Sequence, residues 1–236
     1  RSTSIDGFDL NEGDIIGLSD KNIIAKGERP EAVAEEIVDK LTDEDVSTIT
    51  IYYGYKTTEE EANALMEKIA EKYGHVDILV NNAGVGISGA TELLPVADVK
   101  RAFDVSYYGA LYLTRACLKH MSSGARIIFI SSIAALIPVP FRSVYSSVKA
   151  AELMLGEALR MELSQTGIDV VCICPGEIKT NFSANRLADV TTNERYGDRP
   201  AAALRHVAEK ESKRMPISKV INKLYAICTR GKKPIY

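Results

Sequence analysis

One stretch of the sequence, residues 126–149, restricts the fold more than any other. Its segment Ile127–Ile130 is short, wholly apolar and mostly β-branched, which is typical of a strand buried on both faces of a sheet. Ser131 and Ser132 follow directly, and ligands bind at the carboxyl edge of open parallel sheets. Two prolines then predict a loop, after which a helix is predicted to begin near Tyr145.

Three polar side chains in this stretch could carry chemistry. Tyr145 and Lys149 are four residues apart and share one face of the predicted helix. An ammonium beside a phenol favours the phenolate and lowers the pKa of the phenol, so the pair could exchange protons near neutral pH. Ser132 could hold a substrate oxygen through its hydroxyl. In isolation, Tyr-x-x-x-Lys is more typical of a solvated helix face, and other signatures must decide between the two interpretations.

Further signatures lie on either side of this stretch. A predicted strand, Val76–Val80, runs into Asn81-Asn82-Ala83-Gly84. A long helix is predicted over Val99–His120. Another buried strand, Ile168–Cys174, ends at Pro175-Gly176-Glu177-Ile178-Lys179-Thr180. Taken singly, the Asn-Gly and Pro-Gly segments also fit ordinary strand-ending turns.

In this order the motifs resemble those of the short-chain dehydrogenases/reductases, over residues about 75–236. The resemblance implies an α/β fold, a Rossmann-like parallel sheet flanked by helices. It also implies an NAD(P)-dependent oxidoreductase that moves hydride between nicotinamide and a carbonyl or alcohol. In the implied catalytic set Ser132 polarises the carbonyl, Tyr145 passes the proton, and Lys149 lowers the pKa of the tyrosine and holds the nicotinamide ribose.

The resemblance also implies which residues hold NAD or NADP. In the family, the backbone at the position of Ile178 and the hydroxyl at Thr180 bind the nicotinamide carboxamide. The full implied set is Asn82, Tyr145, Lys149, Pro175, Gly176, Ile178 and Thr180. The family usually has Asn where Ser106 stands, and that Asn helps hold a water in the proton relay. Ser106 either supports a weaker relay or is a tolerated helix residue, and it is not predicted to be catalytic.

Residues 1–74 form an atypical β-β-α-β-α portion, with strands predicted at 14–18, 22–25 and 47–53 and helices at 30–41 and 57–73. The family's Gly-rich phosphate turn is replaced by Gly13-x-x-x-Gly17, for which a turn or bulge is the better interpretation. No residue can be predicted to distinguish NAD from NADP.

This first portion resembles the C-terminal domain of fatty-acid-kinase or dihydroxyacetone-kinase-like proteins. The residues that carry the resemblance are 13–25, 31–41, 43–45, 49–54 and 57–62. A natural fusion, an engineered chimera and a sequence error would each give such a chain. The alternative function is therefore a non-catalytic chain that has lost dinucleotide binding. We expect residues 1–74 and 75–236 to pack as one unit.

The composition of the chain limits the kinds of partner, metal site and disulfide that can be expected. A net charge of −3 gives no reason to expect nucleic acid as a partner, and no apolar run could span a bilayer. Three dispersed histidines predict no metal site, and the four cysteines do not form a secreted disulfide pattern. We expect a cytoplasmic protein with a small carbonyl or alcohol substrate. The family's mode of assembly implies a homodimer or homotetramer through helices near 99–120 and 145–165.

The ends of the chain depart from the family. The absence of an initial Met suggests a trimmed chain or part of a longer one, and the first residues do not resemble a signal peptide. Residues 181–215 lack a clear strand and correspond to the family's substrate-binding region, which often moves as a lid. A last amphipathic helix is predicted over Ile217–Thr229, and the family's final strand would begin about where the chain stops.

Overall fold

The computed structural model describes residues 3–11, 14–19, 22–28, 32–33, 36–37, 40, 58–180, 182, 186–191, 193–209 and 214–229. The strand predicted at 47–53 lies outside these residues, as does Gly13.

The secondary structure alternates short strands with helices. In chain order the strands are β1 (Thr3–Ile5), β2 (Phe8–Leu10), β3 (Ile15–Ser19), β4 (Asn22–Gly27), β5 (Ile78–Asn81), β6 (Ile87–Ser88), β7 (Arg126–Ile130), β8 (Asp169–Ile173), β9 (Ile178–Lys179), β10 (Leu187–Ala188) and β11 (Met215–Pro216). The helices are α1 (Glu59–Tyr73), α2 (Val96–Phe103), α3 (Gly109–Leu118), α4 (Ser143–Glu162), α5 (Arg199–Glu209) and α6 (Ile217–Thr229). A π-helical turn (Asp104–Tyr108) joins α2 to α3, and a 3-10 turn (Ile133–Ala135) follows β7. Helical conformation also covers Ala32, Val33, Glu36, Ile37 and Lys40.

A parallel sheet of β5, β7 and β8 forms the centre, with β7 in the middle. Ile127, Ile128 and Phe129 of β7 are fully buried, as the apolar run predicts. Strand β5 differs, because Ile78 and Val80 are 41% and 38% exposed. Within the described part of the chain β5 pairs only with β7.

Helices cover both faces of the sheet. Residues at alternate positions of a strand point to opposite faces. Ile127 and Phe129 share one core cluster with side chains of α1, α3 and α4. Arg126 points the other way, and its guanidinium donates hydrogen bonds to the carbonyls of Ile227 and Cys228 at the end of α6. The predicted α/β fold, a parallel sheet flanked by helices, is therefore confirmed.

Helix α4 lies unusually close to the sheet at Gly156. A Cβ added there would be 2.9 Å from Cδ2 of Phe129 and closer still to Sγ of Cys172. The missing side chain thus sets the distance between α4 and strands β7 and β8.

The first residues form two antiparallel hairpins that are separate from the central sheet. Asp6 and Gly7 have φ of 52° and 83°, as a two-residue turn between β1 and β2 requires. This hairpin was not predicted, although Asp-Gly is a strong turn signal. The hairpin of β3 and β4 was predicted, and its register shifts between Gly17 and Leu18, which makes Gly17 part of a bulge.

Several helices agree with the sequence patterns, and two regions differ. Thr58 caps α1 through a capping box with Glu61, and α6 has the predicted bounds. The long central helix begins at Val96 and contains the π-helical turn, which periodicity alone does not reveal. Helix α5 was missed in 181–215, although Pro200 suits a first helical turn. No described helix has the length and apolar character needed to cross a bilayer.

Candidate active site

The residues predicted to form the site lie beyond the carboxyl ends of the parallel strands. Asn82 follows β5, Ser132 follows β7 and Pro175 follows β8. Because the three strands are parallel neighbours, their ends share one edge of the sheet. Helix α4 starts after the loop from β7 and carries Tyr145 and Lys149.

Lys149 is buried against the end of β7. Its Nζ donates a hydrogen bond to the carbonyl oxygen of Ile130 at 2.8 Å. The hydroxyl of Ser131 donates to the carbonyl oxygen of Lys149, also at 2.8 Å. Both bonds join α4 to the strand end, so the ammonium sits at the sheet edge instead of on a solvated helix face.

Ser132 begins the 3-10 turn beside this junction. Its Oγ accepts a hydrogen bond from the amide of Ala134 at 3.2 Å, which makes Ser132 the cap of that turn. A hydroxyl that accepts one bond still has its own hydrogen to donate, so the half-buried Ser132 can offer a donor to a ligand oxygen.

Tyr145 is half-buried and packs its ring among apolar side chains. It lies against the cluster formed by Ile87, Leu94, Ala102 and Val148. The centroid of its ring is 6.0 Å from that of Phe182, with the two planes at 53°. These contacts orient the phenol one helical turn before Lys149.

Glu152 belongs to this site and was missed by the sequence interpretation. It is fully buried, and its Oε2 is 2.7 Å from Nζ of Lys149. Burial raises the pKa of Glu152 to about 7, although the neighbouring ammonium of Lys149 acts to lower it. The sequence feature that could have predicted Glu152 is its spacing. Tyr145, Lys149 and Glu152 occupy positions i, i+4 and i+7 of one helix face.

Ser106 lies close to Lys149 as well. It is buried in the π-helical turn, and its Oγ accepts a hydrogen bond from the amide of Val85 at 3.3 Å. A Cβ added to Gly84 would be 3.5 Å from Oγ of Ser106 and 3.4 Å from Nζ of Lys149. The structure thus places the Ser106 hydroxyl and the Lys149 ammonium around the same point beside Gly84.

The two asparagines at the end of β5, Asn81 within the strand and Asn82 just after it, have different surroundings. Asn81 is buried, and its Nδ2 donates to Oγ1 of Thr114 on α3 at 2.9 Å. Asn82 is exposed at the sheet edge, where a ligand could reach it.

The segment after β8 is tied to the rest of the site. The carbonyl of Pro175 accepts a hydrogen bond from the amide of Ile133 at 3.0 Å, and Gly176 is exposed. Ile178 lies in β9, which pairs in parallel with β11. The Oγ1 of Thr180 accepts from the amide of Phe182 at 3.3 Å.

The described residues offer groups for the nicotinamide end of a dinucleotide but not the family's turn for its phosphates. Exposed and half-buried groups that could hold a nicotinamide, Asn82 and Ile178 to Thr180, follow strands β5 and β8, which end at the same edge of the sheet. The described residues contain no Thr-Gly-x-x-x-Gly-x-Gly turn, the pattern that the family uses for phosphate, although Gly84, Gly86 and Gly89 follow β5. A Cβ on Gly17 would be 2.5 Å from Cδ1 of Ile37, so packing accounts for that glycine.

A cavity of about 260 Å³ lies beside the site. Ile87, Leu94 and Leu187 line it, and the same three side chains pack in the cluster that contacts Tyr145. Ser132, Tyr145 and Lys149 do not line it. The cavity and the Tyr145 ring therefore contact the same apolar cluster.

Comparison with known proteins identifies the family. The model of the short chain dehydrogenase family matches residues 17–191, and the chain belongs to this family of NAD(P)-dependent oxidoreductases. The match begins inside the segment that resembles kinase-like proteins, and the comparisons give no evidence for a kinase-like domain.

One relative and two solved structures illustrate the similarity. The chain is 34% identical over 150 residues to a 3-ketodihydrosphingosine reductase of Bacteroides thetaiotaomicron, covering 62% of this chain and 56% of that protein. A short-chain dehydrogenase from Streptomyces avermitilis has a TM-score of 0.69 at 25% identity, covering 86% of this chain and 74% of that one. ElxO with NADP bound has a TM-score of 0.50 at 33% identity, covering 51% and 50%. The matched part spans roughly half the length of the curated relatives.

Proposed function

We propose that this protein is an NAD(P)-dependent oxidoreductase that interconverts a carbonyl compound and an alcohol, with Tyr145 as acid and base. The observation that carries the proposal is the position of Lys149, one turn after Tyr145 and hydrogen-bonded to the strand end beside Ser132. This arrangement favours the interpretation of Tyr145 and Lys149 as a proton-transfer site at the sheet edge, and it disfavours the interpretation as a solvated helix face.

Each polar group has a distinct task in this proposal. A bound nicotinamide cofactor supplies or accepts the hydride. Ser132 donates a hydrogen bond to the substrate oxygen and polarises it. In reduction Tyr145 gives its proton to that oxygen, and in oxidation the phenolate takes it back. The ammonium of Lys149 favours the phenolate electrostatically and donates to the ribose.

The cofactor would be held by residues from three strand ends. Asn82 would lie beside it, and Pro175, Gly176, the Ile178 backbone and the Thr180 hydroxyl would hold the carboxamide. NADP in the similar ElxO structure supports NADP over NAD. The similarity to the Bacteroides 3-ketodihydrosphingosine reductase supports ketone reduction as the working direction.

We also propose how the chain is organised. Residues 1–74 and 75–236 pack as one unit, because Met66 and Ile69 of α1 share a core cluster with Cys117 of α3. Two or four copies assemble through helices α3 and α4, a proposal supported by Met154 and Met161, which are 67% and 69% exposed on α4.

The rival function is a non-catalytic chain that does not bind a dinucleotide. It is supported by one observation, namely that the described residues contain no segment with the Thr-Gly-x-x-x-Gly-x-Gly pattern of the family's phosphate turn. Its site would keep Tyr145 and Lys149 only as packing residues.

Cofactor titration separates the two functions. NADH and NADPH are added separately, and nicotinamide fluorescence is followed with unchanged protein and with Thr180→Val, which removes one proposed carboxamide contact. Saturable binding that Thr180→Val weakens by about tenfold agrees with the oxidoreductase. No change in fluorescence at millimolar concentrations of either cofactor would favour the rival.

A further inference from the structure

A buried carboxyl group lies next to the lysine of the proposed site. Glu152 is fully buried, and its Oε2 is 2.7 Å from Nζ of Lys149. Its other oxygen, Oε1, has no hydrogen-bond partner among the described residues. An ionised carboxylate in the interior is strongly unfavourable unless a cation compensates it, so Lys149 is the group that allows Glu152 to ionise.

We propose that Glu152 is a positioning residue, which holds the Lys149 ammonium at the sheet edge, opposes its charge and so sets the proton affinity of the Tyr145 phenol. The inference rests on the proposed function for the role of Tyr145. The three residues follow one another along one face of α4, so Glu152 acts on the phenol through the lysine between them.

The net charge of the Lys149–Glu152 pair determines how strongly the phenolate form of Tyr145 is favoured. When Glu152 and Lys149 are both ionised, their charges largely cancel at the phenol. When Glu152 is protonated, the full positive charge of Lys149 acts on Tyr145 and favours the phenolate more strongly. Because burial raises the pKa of Glu152 to about 7, the change between these two states falls near neutral pH.

The described groups around Glu152 leave Lys149 as its main charged neighbour. Cys174, at the end of β8, is the titratable group that faces it from the sheet, and burial raises the pKa of that thiol, which therefore stays neutral near pH 7. Ser106, from the π-helical turn, lies near Lys149 and carries no charge. On α4 itself, Lys149 and Tyr145 share the helix face of Glu152, while Glu157, which also acts on Cys174, pairs with Arg160.

The direct test is a titration of the Tyr145 phenol by NMR in protein with ¹³C-labelled tyrosine rings. The Tyr145 resonance is the one absent from Tyr145→Phe. Glu152→Gln keeps the length and an acceptor oxygen but removes the charge. The control, Glu157→Gln, removes a carboxylate that pairs with Arg160 at the same i, i+3 spacing on the same helix.

We expect Glu152→Gln to lower the pKa of Tyr145 by about one unit and Glu157→Gln to leave it unchanged. An unchanged or raised Tyr145 pKa in Glu152→Gln overturns the inference. If Glu152→Gln does not fold, Glu152→Asp, which retracts the carboxylate, is expected to give a smaller shift in the same direction, and no shift overturns the inference.

Turnover separates this inference from the proposed function. In alcohol oxidation, the rising limb of kcat against pH should move to lower pH in Glu152→Gln by the same amount, with KM unchanged. A loss of activity that is uniform across pH indicates a merely structural role and contradicts the inference. A shifted phenol pKa with no turnover in the unchanged protein supports the charge relationship and contradicts the proposed function instead.

Discussion

The ammonium of Lys149 donates a hydrogen bond to the main-chain carbonyl of Ile130 over 2.8 Å. Ser131 makes the return link, from its hydroxyl to the carbonyl of Lys149. These bonds fix the middle of α4 against the end of the central strand. The Lys149 ammonium, which is proposed to favour the phenolate of Tyr145, thus also holds α4 against the sheet. Substitution of Lys149 should therefore affect both stability and catalysis.

Replacement of Lys149 should destabilise the fold in a pH-dependent manner. Lys149→Ala leaves Glu152 buried without its cation, and breaking a buried pair in this way costs about 3–5 kcal/mol. Urea denaturation at about pH 8 should show this loss. At about pH 5 the loss should be much smaller, because Glu152 can then be buried as the neutral acid. Equal losses at both pH values would contradict the buried charge pair.

Glu152 should make the unchanged protein less stable as pH rises. Burial raises the pKa of Glu152 in the folded state to about 7 from an ordinary value of 4.5. The folded state therefore binds this proton more tightly than the unfolded state does, and the contribution is complete below about pH 4.5 and lost as pH rises through about 7. The expected loss is about 3 kcal/mol relative to Glu152→Gln, measured by denaturation of both proteins across this range. A constant difference between the two would argue against the raised pKa.

A single methyl group should disturb the contact between α4 and the sheet. Gly156→Ala places a Cβ within 2.9 Å of Phe129 and against Cys172, so the helix must move away from the strands. Overpacking of this kind destabilises by about 1–3 kcal/mol. Thermal denaturation measures it, with Gly176→Ala as the control, since a Cβ there meets no atom within 4 Å. Equal melting temperatures for the two variants would refute the close approach.

Thr114→Val should destabilise the protein through Asn81. The two side chains form a buried hydrogen bond of 2.9 Å between α3 and the end of β5. Valine keeps the shape of threonine but leaves the Asn81 amide without this partner, at a cost of about 1–3 kcal/mol. Urea denaturation measures the free energy of unfolding of Thr114→Val and of the control Thr191→Val, which makes the same substitution at an exposed position. Equal losses of stability in the two variants would contradict a contribution from the buried hydrogen bond.

Local patterns predicted the elements that depend on local physics. The apolar run Ile127–Ile130 predicted the central strand because burial on both faces demands such a run. The helix predicted over 57–73 corresponds to α1, which begins at Glu59 after the Thr58 cap and ends at Tyr73. Glu152 was not predicted, since a carboxylate in a helix usually faces water and only the fold shows that it points at the sheet edge. The π-helical turn was also missed, because it alters hydrogen bonding without altering the apolar pattern.

The roles at the site depend on long-range geometry that spacing cannot supply. The interval between Tyr145 and Lys149 predicted a shared helix face, and the structure adds what that face contacts, including the Ile130 carbonyl and the Phe182 ring. At Gly17, in contrast, the spacing does not mark a functional site. A glycine in a phosphate-turn spacing is explained by its packing on Ile37, which no sequence pattern indicates.

The central claim, that Tyr145 moves the proton, is tested most directly by kcat for carbonyl reduction with NADPH in Tyr145→Phe. The control is Tyr108→Phe, which removes the hydroxyl of a tyrosine that is 41% exposed. The account predicts that kcat falls by at least about a hundredfold in Tyr145→Phe and stays near its original value in Tyr108→Phe. An undiminished kcat in Tyr145→Phe would contradict it.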